Sequence, residues 1–164
     1  MRTSAALLIL LVAAAFSAAA ESPTACDLLT SADVKAVQGS AFAETKPTQS
    51  QFDGIVISQC FYRLPSFVDS ISVDVIRAPS MTAEELWVKI TGKRTAKMTA
   101  KGREAGDVLP DLGDTAIWAG NMNAGALYVL EGNTILRISV GGGGAEEEKI
   151  EKTRKLAALA LAKF

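Results

Sequence analysis

The sequence predicts an α+β domain: a mostly antiparallel sheet of about five strands, helices packed against it, and one disulfide. Residues 71–76 alternate Ile71, Val73 and Val75 with Ser72, Asp74 and Ile76, the period of a strand with one buried and one largely wet face. Residues 126–130 and 134–140 are β-rich runs joined by Glu131-Gly132-Asn133, a tight hairpin signal. From Ala145 to about Lys163, Glu146, Glu147 and Glu148 come first and Lys152, Arg154, Lys155 and Lys163 follow, which suits a helix macrodipole.

Residues 21–25 form a short polar lead, and Cys26-Asp27-Leu28-Leu29 reads as one helical turn. Thr30-Ser31-Ala32-Asp33 starts a helix, with a hydroxyl cap and an acid in the first turn, and Gly39 stops it. Residues 40–54 are polar, contain Pro47 and Gly54, and read mainly as loop. Ile55 to Tyr62 is rich in β-branched and aromatic residues and reads as a strand, paired with 71–76 across the Leu64-Pro65-Ser66 turn. Pro79-Ser80-Met81-Thr82 leads into a helix with Glu84 and Glu85 in its first turn. Leu86, Val88 and Ile90 mark its core side; the apolar pattern fades near Gly92, with the helix resuming toward Lys97. Residues 102–113 read as loop, Thr115 to Ala119 as a short strand and Asn121 to Gly125 as a turn, so the strands from 115 to 140 form a meander. After the glycine run 141–144, Ile150, Ala157, Ala160, Leu161 and Phe164 are expected to pack the last helix on the sheet. Hairpin followed by helix occurs twice, without a convincing sequence repeat.

A chain of 164 residues that is 49% hydrophobic and 21% charged suits one ordinary folded domain. Its net charge of −1 supplies no global basic field, so nucleic acid is not an expected partner. It contains no histidine, which excludes Ser-His-Asp and Cys-His triads, HExxH zinc sites and a histidine general base.

Residues 1–20 have the three parts of a secretory signal: Arg2, an unbroken apolar run from Ala5 to Phe16, and small residues ending in Ala18-Ala19-Ala20. The expected cut lies between Ala20 and Glu21, leaving 26–164 as a single α+β domain. An uncleaved anchor is the alternative, but the run is shorter than the ~20 residues of a spanning helix. A lipoprotein acylated at Cys26 is another alternative. Pro23-Thr24-Ala25 before that cysteine and its distance past the apolar run argue against it. No later segment is long and apolar enough to span a membrane, so the mature chain is expected in the periplasm or the medium.

Export puts Cys26 and Cys60 in an oxidising compartment, where two cysteines allow one internal bridge. Such a staple stabilises by about 3–4 kcal/mol on the chain-entropy estimate. A redox pair is the alternative, and it usually needs C-x-x-C spacing, which is absent.

Cys26-Asp27-Leu28-Leu29-Thr30, Cys60 in an aromatic strand, and Leu112-Gly113-Asp114-Thr115-Ala116 ahead of two strands and an alanine-rich last helix resemble a known type. The chain resembles the two-cysteine envelope domains of unknown function found in actinobacterial lipoproteins and sensor-kinase ectodomains, over nearly all of 26–164. The resemblance implies a disulfide between the two matching cysteines, an antiparallel sheet with helices around it, and an accessory or binding role. The lipobox of that family is missing, so its membrane anchoring does not carry over, and no catalytic residues transfer.

Few residues carry candidate chemistry. Asp107, Asp111 and Asp114 cluster in a Gly/Pro-containing loop, as oxygen ligands of Ca²⁺ can. Their spacing is not that of an EF-hand, and the same residues form turns and caps. With Glu104 they are also the only clustered acids for carboxylate catalysis. Lys89, Lys93, Arg94, Lys97, Lys101 and Arg103 form a basic run without acids. Lys89, Lys93 and Lys97 share one helix face, able to meet an anionic surface or simply to face water. Trp118, at a strand end beside Gly120 and Asn121, anchors a ligand or partner if exposed and fills the core if buried. No G-x-S-x-G elbow, phosphate loop or dinucleotide fingerprint is present, and no cofactor is implied.

The function expected from these residues is an exported, non-enzymatic binding or accessory module of the cell envelope. It would contact an envelope protein or a small ligand through the sheet face or the basic helix. A carboxylate-dependent hydrolase of envelope polysaccharide and a structural subunit of an envelope assembly are the alternatives.

Overall fold

The computed structural model describes residues 23–99, 109–121 and 123–164, with side chains over 23–92, 109–121 and 123–164. Residues 1–20, expected as the leader, lie outside them. The described residues form an α+β domain with helices on both faces of one antiparallel sheet. A 3₁₀ turn at Ala25–Asp27 leads to α1 (Ser31–Gln38), then to the strands β1 (Glu44–Phe52), β2 (Ile55–Arg63) and β3 (Ile71–Arg77). Next come α2 (Ala83–Thr99), β4 (Thr115–Gly120), β5 (Gly125–Glu131), β6 (Thr134–Val140) and α3 (Glu146–Leu161). The sheet has six strands in the order β1-β2-β3-β6-β5-β4, one more than expected.

The additional strand is β1, placed in the stretch expected as loop. Its side chains are almost all exposed, so no apolar alternation marks it. Asp53 (φ 50°) and Gly54 (φ 74°) form the left-handed two-residue turn that a twisted hairpin favours. Ladder bonds alternate from the flanking Phe52–Ile55 pair, so the nitrogen of Pro47 faces away from β2, where a missing N–H costs no bond.

Two meanders, β1-β2-β3 and β4-β5-β6, meet along β3 and β6, whose central pair is Asp74 opposite Arg137. That antiparallel junction gives the sheet an approximate two-fold axis through its centre. The helices do not obey it. The 3₁₀ turn, α1 and α3 pack on one face; α2 packs on the other.

On the α1/α3 face, Cys60, Tyr62, Val73, Val75, Leu127, Val129, Leu136 and Ile138 meet Leu28, Leu29, Val34, Leu156, Ala157 and Ala160. Each large apolar side chain buried there stabilises by about 2 kcal/mol relative to exposure. The disulfide joins Cys26 to Cys60 with Cα atoms 5.0 Å apart and ties the N-terminal turn to β2. The Tyr62 hydroxyl donates to the Ala25 carbonyl oxygen at 2.7 Å, a second tie at the same place. Ala157 and Ala160 pack on the sheet as expected, with Ile150 and Leu161 partly buried against the core, and Lys149, Thr153 and Leu156 are buried beside them. Phe164, also expected there, is 41% exposed, its ring centre 6.0 Å from the Arg77 guanidinium carbon. The helix ends at Leu161, so Phe164 is carried past the packed turn.

On the other face, Ile55, Ile76, Leu86, Ile117, Tyr128, Leu130 and Ile135 form a second core, with Trp87 and Ile90 of α2 packed on it. The β3 side read as largely wet is therefore half core: Ile76 and Asp74 are both buried. α2 runs unbroken through Gly92, and its start is closed by Thr82 and Glu85, each bonding the other's backbone amide. Val88, expected toward the core, is exposed.

Candidate functional site

Each strand contributes alternate side chains to the α2 face, so the register lays residues out in rows. Ile57, Ile76, Ile135 and Leu130 form an apolar row. Gln59, Asp74, Arg137 and Tyr128 form the row above it, and Phe61, Ser72 and Ser139 the row above that. The apolar row belongs to the core beneath α2. The upper two rows are mostly half-buried and polar, which makes this part of the sheet the candidate site.

Arg137 is its centre. Nη1 donates to Asp74 Oδ2 at 2.8 Å, and Nε donates to the Tyr128 hydroxyl oxygen at 3.2 Å. Its guanidinium carbon lies 5.9 Å from the centre of the Tyr128 ring. Gln59 Nε2 donates to the other Asp74 oxygen at 2.8 Å. Ser72 makes a looser contact, 3.4 Å from Oγ to Asp74 Oδ1. Asp74 is only 7% exposed, whereas the Arg137 side chain is 25% exposed. A carboxylate buried to that degree requires its cation and its hydrogen bonds, and here it has both. Burial works against the Arg137 charge, but Asp74 and Tyr128 more than offset it and hold its pKa above the usual arginine value.

Beside the polar rows lies an apolar rim. The Phe61 ring is 5.7 Å from the Phe67 ring, centre to centre. Phe67 and Val68, on the 3₁₀ turn between β2 and β3, are 68% and 69% exposed. That turn is tied to its neighbours. Gln38 Nε2 donates to the Asp69 carbonyl oxygen at 2.8 Å, and Gly141 lies so close that a Cβ there would strike the Val68 carbonyl.

Of the residues singled out in the sequence, Trp118, Lys89, Asp111 and Asp114 are engaged elsewhere. Trp118 is 2% exposed, so it offers no surface to a ligand or partner. Its ring lies in the α1/α3 core over Gly120 and Gly125, and its Nε1 donates to Glu146 Oε1 at 2.8 Å, securing the start of α3. Lys89 is paired with Asp53 of the β1–β2 turn at 3.5 Å. Lys93, Arg94 and Lys97 lie on the α2 backbone, and their side chains fall outside the described ones. Asp114 accepts from the Gly132 amide at 2.8 Å and so caps the β5–β6 turn, while Asp111 adopts a left-handed turn conformation (φ 63°). Asp107, like Glu104, Lys101 and Arg103, lies outside the described residues. Among the described residues no three His, Cys, Asp or Glu side chains converge as metal ligands.

The Arg137 cluster escapes sequence reading because its central pair, Asp74 and Arg137, is 63 positions apart and meets only across the β3–β6 junction. The available signal was one charge of each sign at the centre of two largely apolar strands, Asp74 and Arg137. No known protein-family model, curated protein or solved structure matches the chain.

Proposed function

We propose that the chain is an exported, non-enzymatic binding or accessory module of the cell envelope. Its contact surface is the polar part of the α2 face, and it meets a protein partner or a small envelope ligand there. One observation carries this reading: the α1/α3 face is filled by apolar packing, whereas the other face holds a hydrogen-bonded charged row beside an exposed aromatic rim. A hydrogen-bonded polar surface next to exposed apolar side chains such as Phe67 and Val68 suits a recognition site. Export is supported by the leader at 1–20 and by the disulfide, which belongs to an oxidising compartment. The two-cysteine envelope domains that the sequence resembles suit the same role.

The test is native mass spectrometry of the protein gently isolated after export from its own cells. The expected spectrum shows residues 21–164 less two hydrogens, together with a retained adduct. The adduct should be lost in the exposed-rim variant Phe67→Ser/Val68→Ser and kept when Lys93, Arg94 and Lys97 are all reversed in charge. A bare monomer, or an adduct unaffected by the rim variant, would refute the site; a chain retaining 1–20 would refute export by cleavage.

A further inference from the structure

We propose that Arg137 anchors a monocarboxylate with an apolar body, lying across Ser72 toward Phe61 and Phe67. This rests on the binding-module reading above and names the ligand chemistry of the same surface.

The guanidinium offers five N–H groups in a planar fork. Two are engaged, one with Asp74 and one with Tyr128. Nη2 bonds none of the described residues, and the Arg137 side chain is 25% exposed. The remaining N–H groups on Nη1 and Nη2 are the ones that would take the carboxylate in a bidentate pair. Asp74 and the Tyr128 ring already hold the group in place, so little side-chain freedom is lost on binding.

The neighbours narrow the ligand. Asp74 cancels one positive charge at the site and repels a second negative one, which favours a monoanion over a phosphate dianion. The Ser139 hydroxyl is committed to the Gly125 carbonyl at 2.7 Å. Ser72 is held more loosely, donating to Asp74 Oδ1 and accepting from Gln59 Nε2, each at 3.4 Å, and is the hydroxyl able to turn toward a ligand oxygen. Beyond Ser72 on the adjacent strand comes Phe61, then the exposed Phe67 and Val68. Two strand spacings separate Arg137 from the Phe61 column, a reach of about 10 Å. A medium-length acyl chain covers that distance, as does the hydrophobic C-terminal residue of a peptide. Both present the same carboxylate-plus-apolar chemistry.

The experiment is calorimetric and NMR titration of the folded, oxidised protein with decanoate and with N-acetyl-leucyl-phenylalanine. 1-Decanol serves as the uncharged control and decyl phosphate as the dianion. Decanoate or the peptide acid should bind at least about tenfold more tightly than decanol, with shifts at Ser72 and Arg137; the tighter of the two identifies the source. Asp74→Asn keeps the hydrogen-bonding shape and removes the competing charge, so it should tighten carboxylate binding about tenfold and admit decyl phosphate. Arg137→Gln alone leaves Asp74 without its cation and can unfold the chain. The paired Asp74→Asn/Arg137→Gln variant keeps an uncharged row and should abolish carboxylate preference while remaining folded. Equal binding of decanoate and decanol, no binding of either acid, or an unchanged affinity in Asp74→Asn would overturn the proposal. If the acids fail while the rim-dependent adduct persists in native mass spectra, the carboxylate assignment falls and the binding-module reading survives.

Discussion

Thr30 and Asp33 close the start of α1 by bonding each other's backbone. The Asp33 carboxylate accepts from the Thr30 amide at 2.8 Å, and Thr30 Oγ1 accepts from the Asp33 amide at 3.2 Å. The hydroxyl and amide of Thr30 hold the Asp33 pKa below the ordinary 3.8. Thr24 does the same for Asp27, and Thr82 for Glu85. An acid whose pKa is lowered by folding stabilises the fold above its unfolded value, and that contribution is lost as pH falls through the folded value. The urea midpoint should therefore be level near neutrality and drop once pH passes below the ordinary carboxylate range. Thr30→Ala should cost about 1 kcal/mol at pH 7 and make the acid drop shallower, as paired urea melts at pH 7 and pH 3 would show. Gly125 makes a different demand on its residue. A Cβ there would strike the Trp118 ring, so Gly125→Ala should cost about 2 kcal/mol in a thermal melt by overpacking. The capping boxes are legible in sequence because they are local. The Gly125–Trp118 contact is not, because it needs the β4–β5 register.

Elements with an apolar rhythm were readable. α1, β2, β3, β5, β6 and α3 lie close to where periodicity and caps put them. β1 was not, because Glu44–Phe52 is an edge strand whose side chains face water and carry no period. Its pairing comes from the Asp53-Gly54 turn and the β2 edge rather than from burial. α2 continues past Gly92 to Thr99, where the apolar pattern had faded; one internal glycine costs a helix only about 1 kcal/mol. The N-terminal turn is too short to persist alone and depends on its attachments, the disulfide and Tyr62. Cys26→Ser/Cys60→Ser, or reduction, should cost about 3 kcal/mol, read as a lower urea midpoint. It should also bring early hydrogen exchange at Ala25 to Leu29. A midpoint unchanged by reductant would contradict the stapling role.

For the whole molecule the decisive contact is the β3–β6 junction. Each meander alone would expose a central strand edge and the apolar side chains of its core face. A fragment of residues 23–82 and one of 109–164 should each be unfolded or self-associated alone. Mixed, they should recover sheet signal in far-ultraviolet circular dichroism, provided the junction forms. Independent folding of either fragment as a monomer would show that the junction is not needed. The same junction creates the Arg137 cluster, since Asp74 and Arg137 belong to different meanders. Fold and candidate site are thus completed by one pairing.

Local chemistry in the sequence was enough to determine the α+β class, most strands, the helix caps and the single cysteine pairing. Each depends on neighbours in the chain, on side-chain period, or on there being only two cysteines. The candidate site was decided by tertiary structure. Trp118 entered the core because the glycines at 120 and 125 leave room for its ring, and Phe67 stayed outside because its turn is pinned by Gln38 and Gly141. Which side of the sheet α2 covers, and so which polar residues remain within reach of a ligand, follows from packing two faces at once. Such a choice is made by the sum of many distant contacts, and no short stretch of sequence contains it.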